Sequence, residues 1–166
     1  MRKKIPFYVI TIAVLVWIFS VLPKDTKIKN VVDSDSLANN KVEKMEGKYS
    51  LKIKDLDISL LVSDTEETRT KGLSEIDALP EGSAMLFVFD KPDTYGFWMK
   101  DMKFPIDVIW LDEKMKITHI EKNVSPDTFP NKFFPPEKSL YVIEFNAGFS
   151  EQNGLAVGNI LDLKKR

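Results

Sequence analysis

Eighteen consecutive residues without a charge, Ile5 to Leu22, stand directly behind Arg2-Lys3-Lys4. A run of that length is hard to place inside a small soluble domain. As a helix rising ~1.5 Å per residue it reaches ~27 Å, which matches the hydrocarbon core of a bilayer. Pro6 falls in the first turn, where a missing N–H does no harm. Trp17 and Phe19 lie near the far end, where interfacial aromatics are common. A cleaved signal peptide is the competing reading, but Ile18-Phe19-Ser20-Val21-Leu22 lacks the pair of small residues that a signal peptidase requires. The expectation is therefore a single-pass anchor over residues 1–22. The basic triplet would stay in the cytoplasm, and the C-terminal body would be extracytoplasmic.

Residues 23–46 are polar and rich in Asn, Asp, Ser and Lys, broken only by Val31-Val32. They cannot bury enough apolar surface to offset the entropy of ordering and read as a flexible tether. Residues 47–166 are the right length for a single domain. Charge divides at the same boundary. Residues 1–46 hold eight basic against five acidic residues, leaving 16 against 20 in the body. An acidic body argues against a nucleic-acid partner, because affinity there comes largely from phosphate neutralisation. With no cysteine, the chain has no disulfide, thiolate nucleophile or cysteine-ligated metal, and no lipid attachment through cysteine. A lone histidine, His119, rules out a multi-histidine centre within one chain. No cofactor is expected.

Within the body, Tyr49, Leu51 and Ile53 alternate with polar residues, and the alternation resumes at Ile58, Leu60 and Val62 after Asp55-Leu56-Asp57. Two period-2 runs around a polar turn predict a hairpin. Asp64 is placed to cap a short helix that has acid in its first turn, Arg69 and Lys71 in its last, and Gly72 as its stop. Strands are predicted at Ala84–Phe89, Gly96–Met99, Ile106–Leu111, Met115–Val124, Leu140–Phe145 and Asn159–Leu163, with a second short helix over Ala147–Asn153. Residues 125–139 carry four prolines among Phe129, Phe133 and Phe134 and cannot pair throughout as a central strand. Many short strands with turn signals and one or two short helices argue for a mainly β sandwich or barrel.

Four separated segments also carry a resemblance. They are Arg69-Thr70-Lys71-Gly72-Leu73, with Leu79-Pro80 and Met85-Leu86-Phe87-Val88-Phe89 behind it; Phe97-Trp98-Met99-Lys100; Pro105-Ile106-Asp107; and Glu144-Phe145-Asn146-Ala147-Gly148, with Gly154 and Gly158 beyond. In order and spacing the chain resembles the bacterial and archaeal family known as domain of unknown function 192, over about residues 50 to 163. The resemblance implies a jelly-roll-like sandwich or compact barrel and implies no reaction. The chain departs from the family pattern at Ile76, which stands where an arginine is usual, at Asp101-Met102 in place of Asn-Thr, and at Ala84 in place of Gly.

The residues best placed to carry chemistry are polar ones embedded in apolar strands: Lys100, Asp107, Glu144 and Asn146, with Trp98 as a stacking surface. Two carboxylates in unlike environments split their pKa values and work as acid and base. Asp107 and Glu144, ~5–10 Å apart across a cleft, would therefore make a hydrolase of the glycosidase kind. Asp107 and Glu144 equally suit outward-facing positions or structural ion pairs. Asn146-Ala147-Gly148 reads as a cap and turn. Asp90, Asp93 and Asp101 lack the ordered oxygen-rich loop of a calcium site. The Pro/Phe loop would either fold back as a lid or present an apolar surface to a protein partner. The functional expectation is a membrane-anchored extracytoplasmic domain that binds an envelope ligand or protein partner through a cleft edged by Trp98, Lys100, Asp107, Glu144 and Asn146. The alternative is the hydrolase.

Overall fold

The computed structural model describes residues 48–74 and 76–166. The expected anchor, the whole of the tether and the boundary at residue 47 lie outside them. No helix among the described residues is long and apolar enough to cross a membrane.

The predicted hairpin is present as β1 (Tyr49–Ile53) and β2 (Leu56–Ser63). Its turn is tighter than expected. Lys54 adopts a φ of 55°, Ile53 pairs directly with Leu56, and Leu56 and Asp57 already belong to the strand. Positive φ in a two-residue loop suits the twist of the flanking strands. Helix α1 (Glu66–Lys71) starts one residue later than predicted, because Asp64 is paired with Lys48 and Thr65 takes the cap. Thr65 Oγ1 accepts from the Thr68 N–H at 3.2 Å while Thr68 Oγ1 accepts from the Thr65 N–H at 3.1 Å, a reciprocal box. Gly72, at φ 49°, ends the helix as expected.

The chain then gives β3 (Ser83–Asp93), β4 (Phe97–Trp98), β5 (Ile106–Leu111) and β6 (Ile117–Val124). Next come a 3-10 turn at Pro126–Thr128, β7 (Lys132–Phe133), β8 (Ser139–Asn146), helix α2 (Phe149–Gln152) and β9 (Asp162–Lys165). Seven strands make one mixed sheet in the order β6-β5-β8-β3-β2-β1-β9, and β4 and β7 make a separate ribbon. The fold is thus mainly β with two short helices.

The expected compact barrel is corrected, since the sheet is not closed. Its outer strands meet at one isolated bridge, Lys116 to Ile160. There Ile117 N–H donates to Asn159 O at 2.8 Å and Leu161 N–H to Met115 O at 3.0 Å. That contact also explains why the last strand begins at Asp162 rather than Asn159: residues 159–161 serve the bridge before the chain reaches β1.

Two apolar clusters lie on the two faces of the sheet. All seven strands contribute to the first, which includes Leu51, Leu60, Leu86, Ile109, Ile117, Ile143, Phe145 and Leu163, so the sheet curves around it. The second is built on Met85, Phe87, Val108, Trp110 and Val142. It is covered by residues of the segment joining β2 to β3 (Leu73, Leu79) and by the ribbon (Phe97, Phe133). Because β2 and β3 run parallel, their connection has to cross from one end of the sheet to the other.

Candidate functional site

Strand parity decides which predicted residues can meet. In the β5–β8 register Asp107 is opposite Phe145 and Val108 is opposite Glu144. Side chains alternate between faces. Asp107 therefore lies on the face of the first cluster, with Phe145, and Glu144 on the face of the second, with Val108 and Met85. The acid/base pair of the hydrolase reading does not form: two buried carboxyl groups stand on opposite sides of one sheet.

Asp107 has structural work. It is fully buried and accepts four hydrogen bonds. Oδ1 takes the backbone N–H of Asn123 at 2.9 Å and of Gly148 at 3.1 Å. Oδ2 takes the Ser150 N–H at 2.9 Å and the Ser150 hydroxyl at 2.6 Å. A four-residue helix cannot sustain itself. Asp107 satisfies the amides at the start of α2, whose N-cap Gly148 has φ 84° and no side chain to do so. The predicted cap, Asn146, instead donates from Nδ2 to Leu79 O at 2.8 Å, tying β8 to the β2–β3 connection.

Glu144 sits quite differently. It is 5% exposed, and among the described residues its Oε2 has no hydrogen-bond partner. Burial pushes the carboxyl up from its ordinary 4.5 to about 8. At neutral pH it is a carboxylic acid. It lines a cleft of about 1040 Å³ on the second face of the sheet.

One wall of the cleft is α1 and the residues after it, from Glu66 to Ser74. The other is the ribbon and its continuation, with Phe97, Trp98, Lys100 and Lys132, and Phe87 and Phe89 of β3 lie between. Trp98 is 42% exposed, and Lys132 Nζ lies 4.6 Å and Lys100 Nζ 6.0 Å from its ring centroid. Arg69 is held in place, donating to Val88 O at 2.8 Å with its guanidinium 5.2 Å from the Phe89 ring centroid. Tyr95 stacks on Phe89 and gives its hydroxyl to Lys91 O at 2.7 Å.

Of the five predicted site residues, the cleft brings together Trp98, Lys100 and Glu144; Asp107 and Asn146 are outside its lining. Sequence reasoning missed Lys132, Arg69, Phe87 and Phe89 as lining residues. Lys132 had a faint signal, since it precedes Phe133 in the Pro/Phe loop, but only the register Trp98 to Lys132 shows its place.

That loop folds back in part, and Phe129 and Phe134 stay 44% and 54% exposed. Phe133 packs into the second cluster, Phe129 tilts against Trp98 at 5.7 Å between centroids, and Phe134 covers Gly96 so closely that a Cβ there would meet its ring at 2.3 Å. His119, on β6, hydrogen-bonds through Nε2 to Glu121 Oε1 at 2.9 Å. Among the described residues no group of three or more His, Asp or Glu is arranged to hold a metal ion.

No curated protein matches the chain in sequence. Among the solved structures that share its fold are two from bacteria. One is a protein of unknown function from Novosphingobium aromaticivorans DSM 12444, at 21% identity and TM-score 0.62, covering 70% of this chain and 83% of that one. The other is a protein from Sinorhizobium meliloti 1021 described as a candidate transcription regulator, at 23% identity and TM-score 0.63, covering 71% and 92%. The family model for domain of unknown function 192, described as an uncharacterized ACR, matches residues 49–163. Since that match takes in nearly all of the β domain, the chain belongs to the domain of unknown function 192 family.

Proposed function

We propose that the chain is a membrane-anchored, extracytoplasmic ligand-binding domain that takes an envelope component in the cleft between α1 and the β4–β7 ribbon. One observation carries the reading: among the described residues a buried carboxyl oxygen of Glu144 lacks a partner, and its side chain lines the cleft. A buried polar group left unsatisfied costs ~1–3 kcal/mol, and such groups persist where a ligand completes them. Exposed Trp98 between two ammonium groups adds a stacking surface at the mouth. The anchor rests on Ile5–Leu22 behind the basic triplet.

Purified murein fragments, envelope phospholipids and small aromatic carboxylates, added separately to the full chain in detergent, test the binding role by thermal melting. One class is expected to raise the melting temperature of the wild type and not that of Glu144→Leu. Equal shifts in both proteins, or none with any class, would end the binding reading. Sequencing the N-terminus of the protein recovered from membranes tests the anchor, and a start after Leu22 would exclude it.

A further inference from the structure

The charges around the cleft are not evenly spread. Lys100 and Lys132 bracket Trp98 on the ribbon side. Glu66 and Glu67 stand at the opposite wall, at the start of α1, with Arg69 and Lys71 in its last turn. Asp101 follows Lys100 along the rim. On the sheet itself the cross-strand neighbours of Glu144 are Met85 and Val108, both apolar. A cationic ligand entering beside Trp98 would meet two ammonium groups and then a carboxyl that carries no charge at neutral pH. An anionic ligand meets the opposite: cations at the mouth and an O–H donor inside.

Resting on the ligand-binding reading of this cleft, we propose that the occupant is a small, flat-bodied carboxylate. Its ring would lie against Trp98 and the phenylalanines, its charge beside Lys100 and Lys132, and one of its oxygens would accept a hydrogen bond from the neutral Glu144 carboxyl. The site is then proton-linked. When Glu144 ionises it loses its donor proton and repels the ligand it had held, so binding weakens as pH rises. The binding-competent fraction halves at the pKa of about 8. One pH unit higher the apparent Kd is larger by about ten-fold, as the competent fraction falls.

Benzoate and benzylammonium share a ring and differ in charge, and they separate the possibilities. The full chain in detergent micelles has three tryptophans, so its indole N–H resonances can be assigned with Trp98→Phe. Trp110 Nε1, which donates to Tyr95 O at 2.9 Å, serves as an internal reference for an intact fold. Benzoate is expected to shift the Trp98 resonance saturably at pH 6, with Kd rising about ten-fold by pH 9. Glu144→Gln, which keeps an N–H donor and cannot ionise, is expected to bind benzoate equally at both pH values. Every other titrating group around the cleft is shared by the two proteins, so their difference isolates this carboxyl. Lys132→Ala, at an exposed position, should weaken benzoate binding several-fold with the Trp110 resonance unmoved.

If benzylammonium is the probe that binds, or if benzoate shows the same pH profile in wild type and Glu144→Gln, the proposal is overturned while the cleft remains a binding site. If neither probe moves the Trp98 resonance, the binding reading falls and takes the proposal with it.

Discussion

Glu144 should make this domain less stable as pH rises through the neutral range, and the size of the effect follows from its surroundings. In the unfolded chain a glutamate ionises near its ordinary 4.5, whereas burial holds the folded carboxyl neutral until about 8. Between those values the native state carries a proton that the unfolded state has released, so stability falls with each unit of pH and levels off above the upper value. One unit corresponds to ~1.36 kcal/mol, which puts the full loss on the order of 5 kcal/mol. That is a large part of the ~5–15 kcal/mol by which an ordinary domain is stable. Urea unfolding of the full chain in detergent, followed by tryptophan fluorescence, measures it at pH 5 and pH 9. The wild type should lose several kcal/mol over that range, and Glu144→Gln should lose far less and be the more stable protein at pH 9. If the gap between the two proteins is the same at both pH values, the carboxyl is not held neutral by burial and the reasoning is wrong.

Asp107→Ala removes the acceptor of four buried hydrogen bonds and leaves three backbone amides without it; a loss of ~3–5 kcal/mol is expected in the same urea assay, and one under about 1 kcal/mol would contradict the structural role. Thr65→Ala breaks the reciprocal cap of α1 and should cost ~0.5–2 kcal/mol in thermal unfolding, whereas no change would show the crossover wall to be held by packing alone. Gly96→Ala drives a methyl group into the Phe134 ring, so it should cost ~1–3 kcal/mol, and much of that cost should vanish when Phe134→Ala is added. A cost that survives in the double variant would point to the backbone rather than the ring.

Much of the fold was legible because period-2 alternation reports directly on a sheet with an apolar face. Tyr49, Leu51 and Ile53 pointed to β1, and the β-prone stretch Ile106–Leu111, apolar except for Asp107, matched a strand buried on both faces. The breaker positions were legible for the same local reason: Gly72 stopped α1, and the proline-rich segment stayed out of the main sheet.

What could not be read was register between strands distant in sequence. Asp107 and Glu144 each sit between two apolar residues and look alike in the sequence. Their assignment to opposite faces depends on Asp107 pairing with Phe145 rather than with the next residue along. A one-residue slip would reverse it. Lys132 was hidden in the same way, because its partnership with Trp98 is made by a loop that returns from the far end of β6. The charge state of Glu144 was beyond the sequence too, since it depends on how deeply the cleft buries the group and on which cations fail to reach it.

The parallel pairing of β2 with β3 has a consequence for how proteins of this architecture diversify. A parallel pair obliges the intervening chain, residues 64–82 here, to travel back along the sheet, and the cleft is the space between that returning chain and the aromatic ribbon. The position of the hollow thus follows from strand order. Its position is inherited with the topology, and its chemistry is set by a few side chains, among them Trp98, Lys100, Lys132 and Glu144. Proteins that share this strand order are therefore free to differ in the chemistry of the cleft while keeping its position.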